Sequence, residues 1–522
     1  MKKGPRPTRT PEARSRALPA EVAAAALAVV ATLLSAWICR RVFEGIPHIT
    51  DCVSYAFQAR VFASGHLRLS PPAVPEAFAI GNVVMNESLW AGKYPPGFPA
   101  LLSVGYLLGV PWLVNPVLLG LAVFGVFRLG RSLYDVPTGL LSALLLSISP
   151  FALLYGATFF SHVPALCATV WTLDALVRGK KTGDARLLLL AGFFAGLAAA
   201  IRPYTAAALL LPAGVWLIWR TAPREALRRA ALVAAGAALP LVLHAGFNAA
   251  VWGHPFRTGY TAWDPTTDLT GEAGRHVSPV SSFLEHLPRY LADLNRDPWA
   301  EPWPDLLPLL FLLPRRSRRS GDGLLFASAL ATVLAHSAFF HYDLIHSGPR
   351  YVLEAMGPLA LLVARGLLAG AVLLREGLAR LRAPVALGTA VLLVLAGISM
   401  YFPLGRRLPE LMEVNSRAYG GQTLEPLRRP GAEKVGPDAL ILVSGTWAEA
   451  TYAAFSLLND VEPAKGRRVY ALDYRLRRDD LAAAYPRDET WKLYFEIASW
   501  PSEKRFARPT YEIRRVLWTR VR

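Results

Sequence analysis

Hydrophobic positions in this 522-residue chain fall into about a dozen runs that short polar segments separate. A helix needs roughly 20 apolar residues to cross the hydrocarbon layer of a membrane. About eleven runs are predicted to be spans, the eighth together with its flanks, and the fifth, sixth and eighth are short enough to be tilted, broken or merged. They are residues 18–38, 114–129, 140–155, 163–177, 187–201, 205–219, 230–252, 306–313, 324–340, 351–368 and 385–402. The pattern predicts an all-α polytopic membrane protein.

The charges of the connecting segments alternate along the chain. Basic residues cluster in every second loop, as at Arg178, Lys180 and Lys181, whereas Asp, His and Pro-rich sequence lies in the other loops. Basic loops stay on the cytoplasmic side of a membrane. The alternation therefore predicts an integral membrane protein with its N-terminus in the cytoplasm and its C-terminus on the outer side of the membrane.

The first apolar run, residues 18–38, is too long for the apolar region of a signal peptide and lacks a convincing cleavage site. It is expected to be a retained span behind a basic cytoplasmic tail, residues 1–17. Large external loops are expected at 41–112 and 253–303. Within the first loop, the apolar run 99–110 is too short to cross and is expected to lie along the outer surface.

The last 120 residues differ from the rest of the chain. Their apolar runs shrink to strand length at 439–443, 468–474, 491–497 and 511–518, and a helical stretch, 449–458, lies between the first two. Short runs of this kind with an intervening helix predict a small α/β domain. The predicted organisation is thus a transmembrane domain, 18–402, followed by a periplasmic α/β domain, 403–522.

Composition agrees with a membrane protein and argues against a nucleic-acid partner. The chain is 53% hydrophobic and 18% charged, whereas soluble domains carry about 25% charged residues. The net charge of +18 lies beside apolar runs rather than on one continuous stripe. The basic residues are therefore interpreted as anchors that face the cytoplasm and anionic lipid.

Two polar motifs stand in the first predicted external loop. Asp51 follows the first span, where a carboxylate near the bilayer is costly unless it works or is paired. The alternative is that Asp51 caps the helix that it precedes. Lys93 stands before a Pro-Pro turn, and its ammonium suits a phosphate; the alternative is that it extends to lipid headgroups.

Three further motifs stand at predicted outer ends of spans. Arg202-Pro203 interrupts an apolar hairpin, and Arg350-Tyr351 opens the tenth span. Both cations oppose the positive-inside trend, so Arg202 needs an anionic partner: a phosphate, Asp51 or headgroups. His162 opens the fourth span, where a single His is more often structural than a ligand. No spacing of His, Asp and Glu here is diagnostic of a metal.

Together these motifs give one carboxylate, Asp51, and three outward cations, Lys93, Arg202 and Arg350, at the outer ends of apolar spans. Such a set suits an anionic, lipid-linked phosphate substrate and one general base. The order of parts resembles the GT-C glycosyltransferases, integral-membrane enzymes that use polyprenyl-phosphate sugars. It is closest in layout to aminoarabinose transferases, protein O-mannosyltransferases and rhizobial lipopolysaccharide glycosyltransferases, over roughly residues 20–370.

The resemblance implies a role for each matched residue. Asp51 corresponds to the general base of that family, and Lys93, Arg202 and Arg350 are expected to bind the donor phosphate. The residues expected to contact the substrate are Tyr55, Tyr94, His162 and Tyr351. This chain departs from the family at Cys52, at Ser161-His162 and at Gly92, where many members have acidic residues. No cofactor is expected, and a divalent metal is not supported.

The implied reaction is inverting transfer of a hexose or pentose from a polyprenyl-phosphate sugar to a glycan, lipid or protein acceptor. The resemblance implies that it takes place on the outer face of the bacterial inner membrane, with the C-terminal domain in the periplasm or outside the cell. One alternative is a polysaccharide polymerase or ligase, which typically builds its site in a late external loop. The other is a transporter, which places ionisable residues at mid-span. The ionisable residues of the spans here lie toward the ends or one at a time: Asp174, His244, His336, Glu354 and Arg365.

Overall fold

The computed structural model describes residues 11–263, 279–339, 341–345, 347–380, 384–418, 423–445, 448–500 and 510–522. Residues 1–10 of the predicted tail, 264–278 of the second predicted external loop and 501–509 of the predicted C-terminal domain lie outside the described residues. The described chain is mostly helical, with four short strands among the helices and four strands near the C-terminus.

The helices up to the second predicted external loop are α1 (Pro11–Val42), α2 (Thr50–Ala63), α3 (Gly97–Leu107), α4 (Val114–Leu133), α5 (Val136–Ile148), α6 (Pro150–Gly156), α7 (His162–Thr182), α8 (Ala185–Ile201), α9 (Pro203–Ile218) and α10 (Pro223–Trp252). Those that follow are α11 (Gly259–Trp263), α12 (Pro279–Leu294), α13 (Asp322–Ser337), α14 (Met356–Arg380), α15 (Val385–Met400), α16 (Leu408–Ala418), α17 (Ala448–Ser456) and α18 (Arg478–Ala484). The strands are β1 (Val83–Met85), β2 (Trp90–Gly92), β3 (Leu344–Ile345), β4 (Gly348–Pro349), β5 (Ala439–Gly445), β6 (Arg468–Leu472), β7 (Glu489–Trp500) and β8 (Thr510–Arg520).

Five helical segments of the described residues are long and apolar enough to cross a membrane. They are Leu18–Val42, Pro111–Leu133, Pro223–Trp252, Arg350–Arg380 and Val385–Ser416. A sixth is present if α5 and α6 are counted together. The protein is therefore a multi-pass membrane protein, and the count of eleven spans stays a prediction. The predicted third span is broken, because α5 and α6 meet at an angle of 62°.

The predicted eighth span, residues 306–313, is wrong as an α-helix. Only a six-residue 3₁₀-helix, Leu307–Leu312, forms there, and it is about 12 Å long at the usual rise. Pro308 and Pro314 each lack a backbone N–H donor, which works against a continuous α-helix. The segment lies against α14 so closely that a Cβ at Gly366 would come within 2.1 Å of the Pro308 carbonyl oxygen.

Close backbone approach holds the helices of the apolar part together. A Cβ at Gly120 of α4 would lie 2.2 Å from the hydroxyl of Thr32 in α1, and one at Gly236 of α10 would lie 1.9 Å from the Leu189 carbonyl oxygen in α8. Small residues at such crossings let helices pack by van der Waals contact, which drives helix association in lipid. This packing fixes where the helix ends converge.

The C-terminal strands form one sheet in the order β6-β5-β7-β8. The pairs β5–β6 and β5–β7 are parallel, and β7–β8 is antiparallel. Three of the segments predicted as strands lie within β5, β7 and β8, the fourth, 468–474, extends two residues beyond β6, and α17 covers most of the predicted helix. The long helix that begins at Val385 continues through a π-helical stretch, Tyr401–Arg407, into α16. The predicted domain boundary at 402/403 falls inside it.

The sheet shares a hydrophobic core with the first predicted external loop. Val53, Phe57 and Val61 of α2 are buried in the same cluster as Leu440 of β5 and Phe495 of β7. Burial of apolar area of this kind is the main stabilising contribution to such contacts. The C-terminal sheet and α2 are therefore packed as one body, whereas the predicted periplasmic location of both stays a prediction.

Candidate active site

The eight site residues predicted from the sequence all line one cavity of about 220 Å³. They are Asp51, Tyr55, Lys93, Tyr94, His162, Arg202, Arg350 and Tyr351. The cavity lies where the start of α2, the segment after β2, the start of α7, the α8–α9 junction and the turn before α14 converge. Residues up to 299 positions apart in sequence thus contact one another there.

Asp51 lies in the first turn of α2 but does not cap the helix. The capping position is occupied by Ile49, and no side chain makes the capping hydrogen bond. The Oδ1 atom of Asp51 accepts hydrogen bonds from the Tyr94 hydroxyl and from Asn82 Nδ2, both at 2.7 Å. Its Oδ2 atom lies 3.1 Å from Arg350 Nη1. The alternative that Asp51 serves as a helix cap is therefore wrong.

The surroundings of Asp51 keep its carboxylate ionised. Burial raises the pKa of Asp51, but the Arg350 guanidinium, the hydrogen bond from Tyr94 and the Lys93 ammonium outweigh burial and lower that pKa below its ordinary value. Opposite charges and donated hydrogen bonds both favour the charged form of a carboxyl group. At neutral pH the group is therefore a carboxylate that can accept a proton.

Arg350 binds two carboxylates at once. Its Nη1 atom pairs with Asp51, and its Nη2 atom lies 3.2 Å from Asp343 Oδ2 and donates to the Tyr351 hydroxyl at 2.9 Å. Two negative groups therefore already neutralise this guanidinium. The phosphate-binding role of Arg350 stays a prediction, and the geometry favours a role in holding Asp51.

Lys93 lies among aromatic rings instead. Its Nζ atom is 5.4 Å from the ring centre of Tyr94, 5.9 Å from that of Tyr260 and 5.2 Å from that of Trp263. Such rings attract a cation without neutralising it. No carboxylate of the described residues forms an ion pair with Lys93. Burial lowers the pKa of Lys93, against the opposing effect of Asp51.

The α11 helix, which carries Tyr260 and Trp263, can approach Lys93 only because its first residue is a glycine. A Cβ at Gly259 would lie 2.2 Å from the Lys93 carbonyl oxygen. Residues of the second predicted external loop, 253–303, therefore contact Lys93 of the first predicted external loop and contribute to the site.

Arg202 is positioned by the break between α8 and α9. The helix α8 ends at Ile201, and Pro203 starts α9, because proline suits the first turn of a helix and cannot continue the preceding one. The Nε atom of Arg202 lies 3.0 Å from Glu354 Oε1, which also lies 3.3 Å from His162 Nδ1. The anionic partner of Arg202 in the structure is thus Glu354, and not Asp51.

Aromatic side chains form much of the remaining wall. Tyr55 and Tyr94 stack with ring centres 4.5 Å apart, and the Tyr55 hydroxyl lies 2.9 Å from Ser161 Oγ. The Tyr351 ring lies 5.8 Å from the Arg202 guanidinium and 4.8 Å from that of Arg350. Rings that also carry hydroxyl groups suit a ligand with both apolar faces and polar edges.

Sequence reasoning missed several residues of the site: Asn82, Asp343, Tyr260, His336 and Glu354. Glu354 and His336 had been treated as isolated ionisable residues, but Glu354 pairs with Arg202, and His336 Nε2 lies 3.1 Å from Thr205 Oγ1. A carboxylate inside an apolar run is expensive, so Glu354 carried a usable indication. No feature of the sequence indicated that Asn82 belongs to the site. Its φ of +64° is a turn conformation that Asn tolerates, so the residue resembles an ordinary turn residue.

Among the described residues, no three His, Cys, Asp or Glu side chains converge as ligands for a metal ion. The predictions about metal and cofactor remain predictions. The cavity therefore offers one carboxylate acceptor for a proton, cations for an anionic group and aromatic walls.

Residues 93–247 match the family model of dolichyl-phosphate-mannose-protein mannosyltransferases. The matched segment begins at Lys93 and includes Ser161-His162 and Arg202. This match supports a membrane glycosyltransferase of the GT-C type and confirms over that segment the resemblance found in the sequence. No curated protein sequence matches the chain.

Three solved structures align with most of this chain. ArnT from Cupriavidus metallidurans in the apo state has a TM-score of 0.49 and 15% identity, over 92% of this chain and 97% of that chain. The same protein bound to undecaprenyl phosphate gives 0.48 and 14%, over 93% and 97%. The apo oligosaccharyltransferase of Archaeoglobus fulgidus gives 0.47 and 12%, over 90% and 69%. At these values no residue role is transferred from them.

Proposed function

We propose that this protein is an inverting glycosyltransferase that moves a sugar from a polyprenyl-phosphate donor to an acceptor hydroxyl. The observation that carries the proposal is the shared cavity of Asp51 and Lys93, an ionised carboxylate beside an ammonium that no described carboxylate neutralises. The match of residues 93–247 to a family named for a dolichyl-phosphate-mannose donor supports it.

In the proposed reaction Asp51 acts as the general base. The acceptor hydroxyl oxygen attacks the anomeric carbon, and its proton passes to an Asp51 carboxylate oxygen. The new bond joins the acceptor oxygen to the anomeric carbon from the side opposite the phosphate. The anomeric configuration is therefore inverted in one step.

The bond that breaks joins the anomeric carbon to a phosphate oxygen, and its electron pair leaves with the lipid phosphate. Lys93 and Arg202 line the cavity and supply the positive charge that stabilises this departing anion. Placed cations of this kind are effective because they need no reorganisation when the charge develops. A phosphate is already a good leaving group, so the proposed mechanism has no acid catalyst.

Three features of the substrates and the setting follow from the proposal. The donor is a sugar, hexose or pentose, on a polyprenyl phosphate, the lipid class that the solved ArnT complex holds as undecaprenyl phosphate. The acceptor is a hydroxyl of a glycan, lipid or protein. The reaction takes place on the outer face of the bacterial inner membrane, with the N-terminus in the cytoplasm.

The reaction is tested with the purified full-length protein and synthetic undecaprenyl-phosphate and dolichyl-phosphate sugars. We expect transfer from a monophosphate-linked sugar, with the opposite anomeric configuration in the product by NMR. Retention of configuration, or transfer from diphosphate-linked glycans alone, contradicts the proposal and favours the polymerase or ligase alternative. Orientation is tested separately by reporter fusions at Arg178 and Arg522; a cytoplasmic reporter at Arg522 contradicts the proposed topology.

A further inference from the structure

Glu354 is the most deeply buried ionisable group near the cavity, and the residues that line the cavity do not include it. Its side chain has 0% exposure, and its Oε1 atom lies against both Arg202 Nε and His162 Nδ1. A carboxylate removed from water is costly unless cations and hydrogen bonds surround it. Its placement behind two residues of the cavity wall therefore requires an explanation.

The contact with Glu354 leaves one edge of Arg202 available. Glu354 and Thr205 Oγ1, at 3.0 and 3.3 Å, both engage the Nε atom of Arg202. On the opposite edge, Nη1 has, among the described residues, a single long hydrogen bond of 3.5 Å to Ser161 Oγ. A guanidinium presents its donors in a rigid plane. Fixing Nε therefore fixes the direction in which the terminal nitrogens face the cavity.

We propose that Glu354 is a positioning residue that holds the Arg202 guanidinium in the orientation that receives the donor's phosphate. This inference rests on the proposed function. Glu354 touches neither substrate nor reacting atoms and acts through Arg202. The Arg202 side chain then loses its conformational entropy when the protein folds and not when the lipid phosphate binds. The phosphate therefore binds more tightly without an additional contact.

The competing interpretation is a structural ion pair that only stabilises the fold. The same chain offers a matched case in Asp174, which is 1% exposed, pairs with Arg128 and Arg178 at 3.3 Å each and is remote from the cavity. A substitution there reports what loss of a buried carboxylate does to the protein in general. If Glu354 positions Arg202, the effect of its substitution on phosphate affinity should depend on the presence of Arg202. A structural ion pair predicts no such dependence.

The test measures binding of undecaprenyl phosphate to full-length protein in detergent, with wild type, Glu354→Ala, Glu354→Gln, Arg202→Ala and the double variant Glu354→Ala/Arg202→Ala. We expect Glu354→Ala and Arg202→Ala each to weaken binding about tenfold, the range of one charge-assisted hydrogen bond. The double variant should be no weaker than Arg202→Ala. Glu354→Gln should restore part of the affinity, because it keeps the size of the side chain and a polar oxygen that can lie beside Arg202 Nε. Asp174→Asn should leave the affinity unchanged.

Each other outcome overturns the inference. An equal loss from Glu354→Ala in the presence and absence of Arg202 shows a general structural effect, and tighter binding in Glu354→Ala shows that the carboxylate competes with the phosphate. Failure of Glu354→Gln to bind better than Glu354→Ala also contradicts positioning by contact with Arg202. If wild type itself does not bind undecaprenyl phosphate, the proposed function fails first, and the two failures are thereby distinguished.

Discussion

Asp51 and Asp174 are two carboxylates of one chain, each held by arginine, with opposite surroundings. Asp174 is 1% exposed, and Arg128 and Arg178 both pair with one of its oxygens. Asp51 is 22% exposed and borders the cavity. Asp174 lies about 18 Å along α7 from His162, at the usual helical rise. The two carboxylates therefore belong to different ends of the same helix bundle.

The difference shows what distinguishes a structural ion pair from an ion pair that borders a candidate active site. At Asp174 the carboxylate is buried, and its pair with Arg128 joins α7 to α4. At Asp51 similar charges surround open volume, and Lys93 is left without a carboxylate partner among the described residues. Salt bridges are found around both carboxylates. The cluster around Asp51 differs because it borders a cavity and contains a cation, Lys93, that no described carboxylate neutralises.

The largest effect is expected from substitution of Asp51, and it should distinguish Asp51 from Asp174. Asp51→Asn keeps the size of the side chain and its ability to accept hydrogen bonds from Tyr94 and Asn82, but it removes the base. We expect the rate of transfer to fall by roughly 10² or more, with donor binding retained. The measurement is turnover of a polyprenyl-phosphate sugar by purified protein.

The matched control is Asp174→Asn. It should lower thermal stability while turnover per folded molecule stays near that of wild type, because the residues that line the cavity of the candidate site do not include Asp174. Retained turnover in Asp51→Asn, or an equal loss in both variants, removes the distinction between the two clusters.

A smaller effect is expected at Lys93. Lys93→Ala should weaken binding of undecaprenyl phosphate by roughly 10- to 100-fold, because it removes a charged contact with the lipid phosphate. Lys180→Ala is the comparison variant, since Lys180 also lies over an aromatic ring, that of Trp216, but away from the cavity. It should bind undecaprenyl phosphate as wild type does. Equal affinities of Lys93→Ala and wild type contradict the assignment.

Lys93 also predicts how binding depends on pH. Because burial lowers the pKa of Lys93, its positive charge is present below the lowered pKa and is lost as pH rises through it. Affinity for the phosphate should therefore decline at alkaline pH sooner than an ordinary lysine would allow. Lys93→Arg keeps its charge throughout, so the alkaline decline should disappear in titrations of binding against pH.

The smallest expected effect concerns Arg350 and is a shift in pH dependence. The Arg350 guanidinium lowers the pKa of Asp51, so Asp51 remains a base until pH falls through that lowered value. Arg350→Gln should raise the pKa of Asp51. In a profile of rate against pH, the loss of activity on acidification should then occur at higher pH. Arg365→Gln, which breaks a pair with Asp322 away from the cavity, should leave the profile in place. An unmoved acid limb in Arg350→Gln contradicts the role assigned to this contact.

Hydrophobic periodicity was sufficient to predict the long apolar helices and the four C-terminal strands, because each depends on local sequence. It failed at residues 306–313, where prolines and contact with α14 replace a helix. For the site, charges that oppose the positive-inside trend marked Arg202 and Arg350. The pairing of Arg350 with Asp51, 299 residues away, and the partnership of Glu354 with Arg202 depend on tertiary packing, so no local pattern revealed them.

The shared core of α2 and the C-terminal sheet has a consequence for modularity. One side of α2 carries Asp51 and Tyr55 to the cavity, and the other buries Phe57 and Val61 against the sheet. Shortening the chain after Ala418 would strip that second side and leave the helix of the proposed base without its support. The segment that the sequence predicts as a separate domain thus packs as one unit with the helix that carries the proposed base, and we expect its loss to lower turnover.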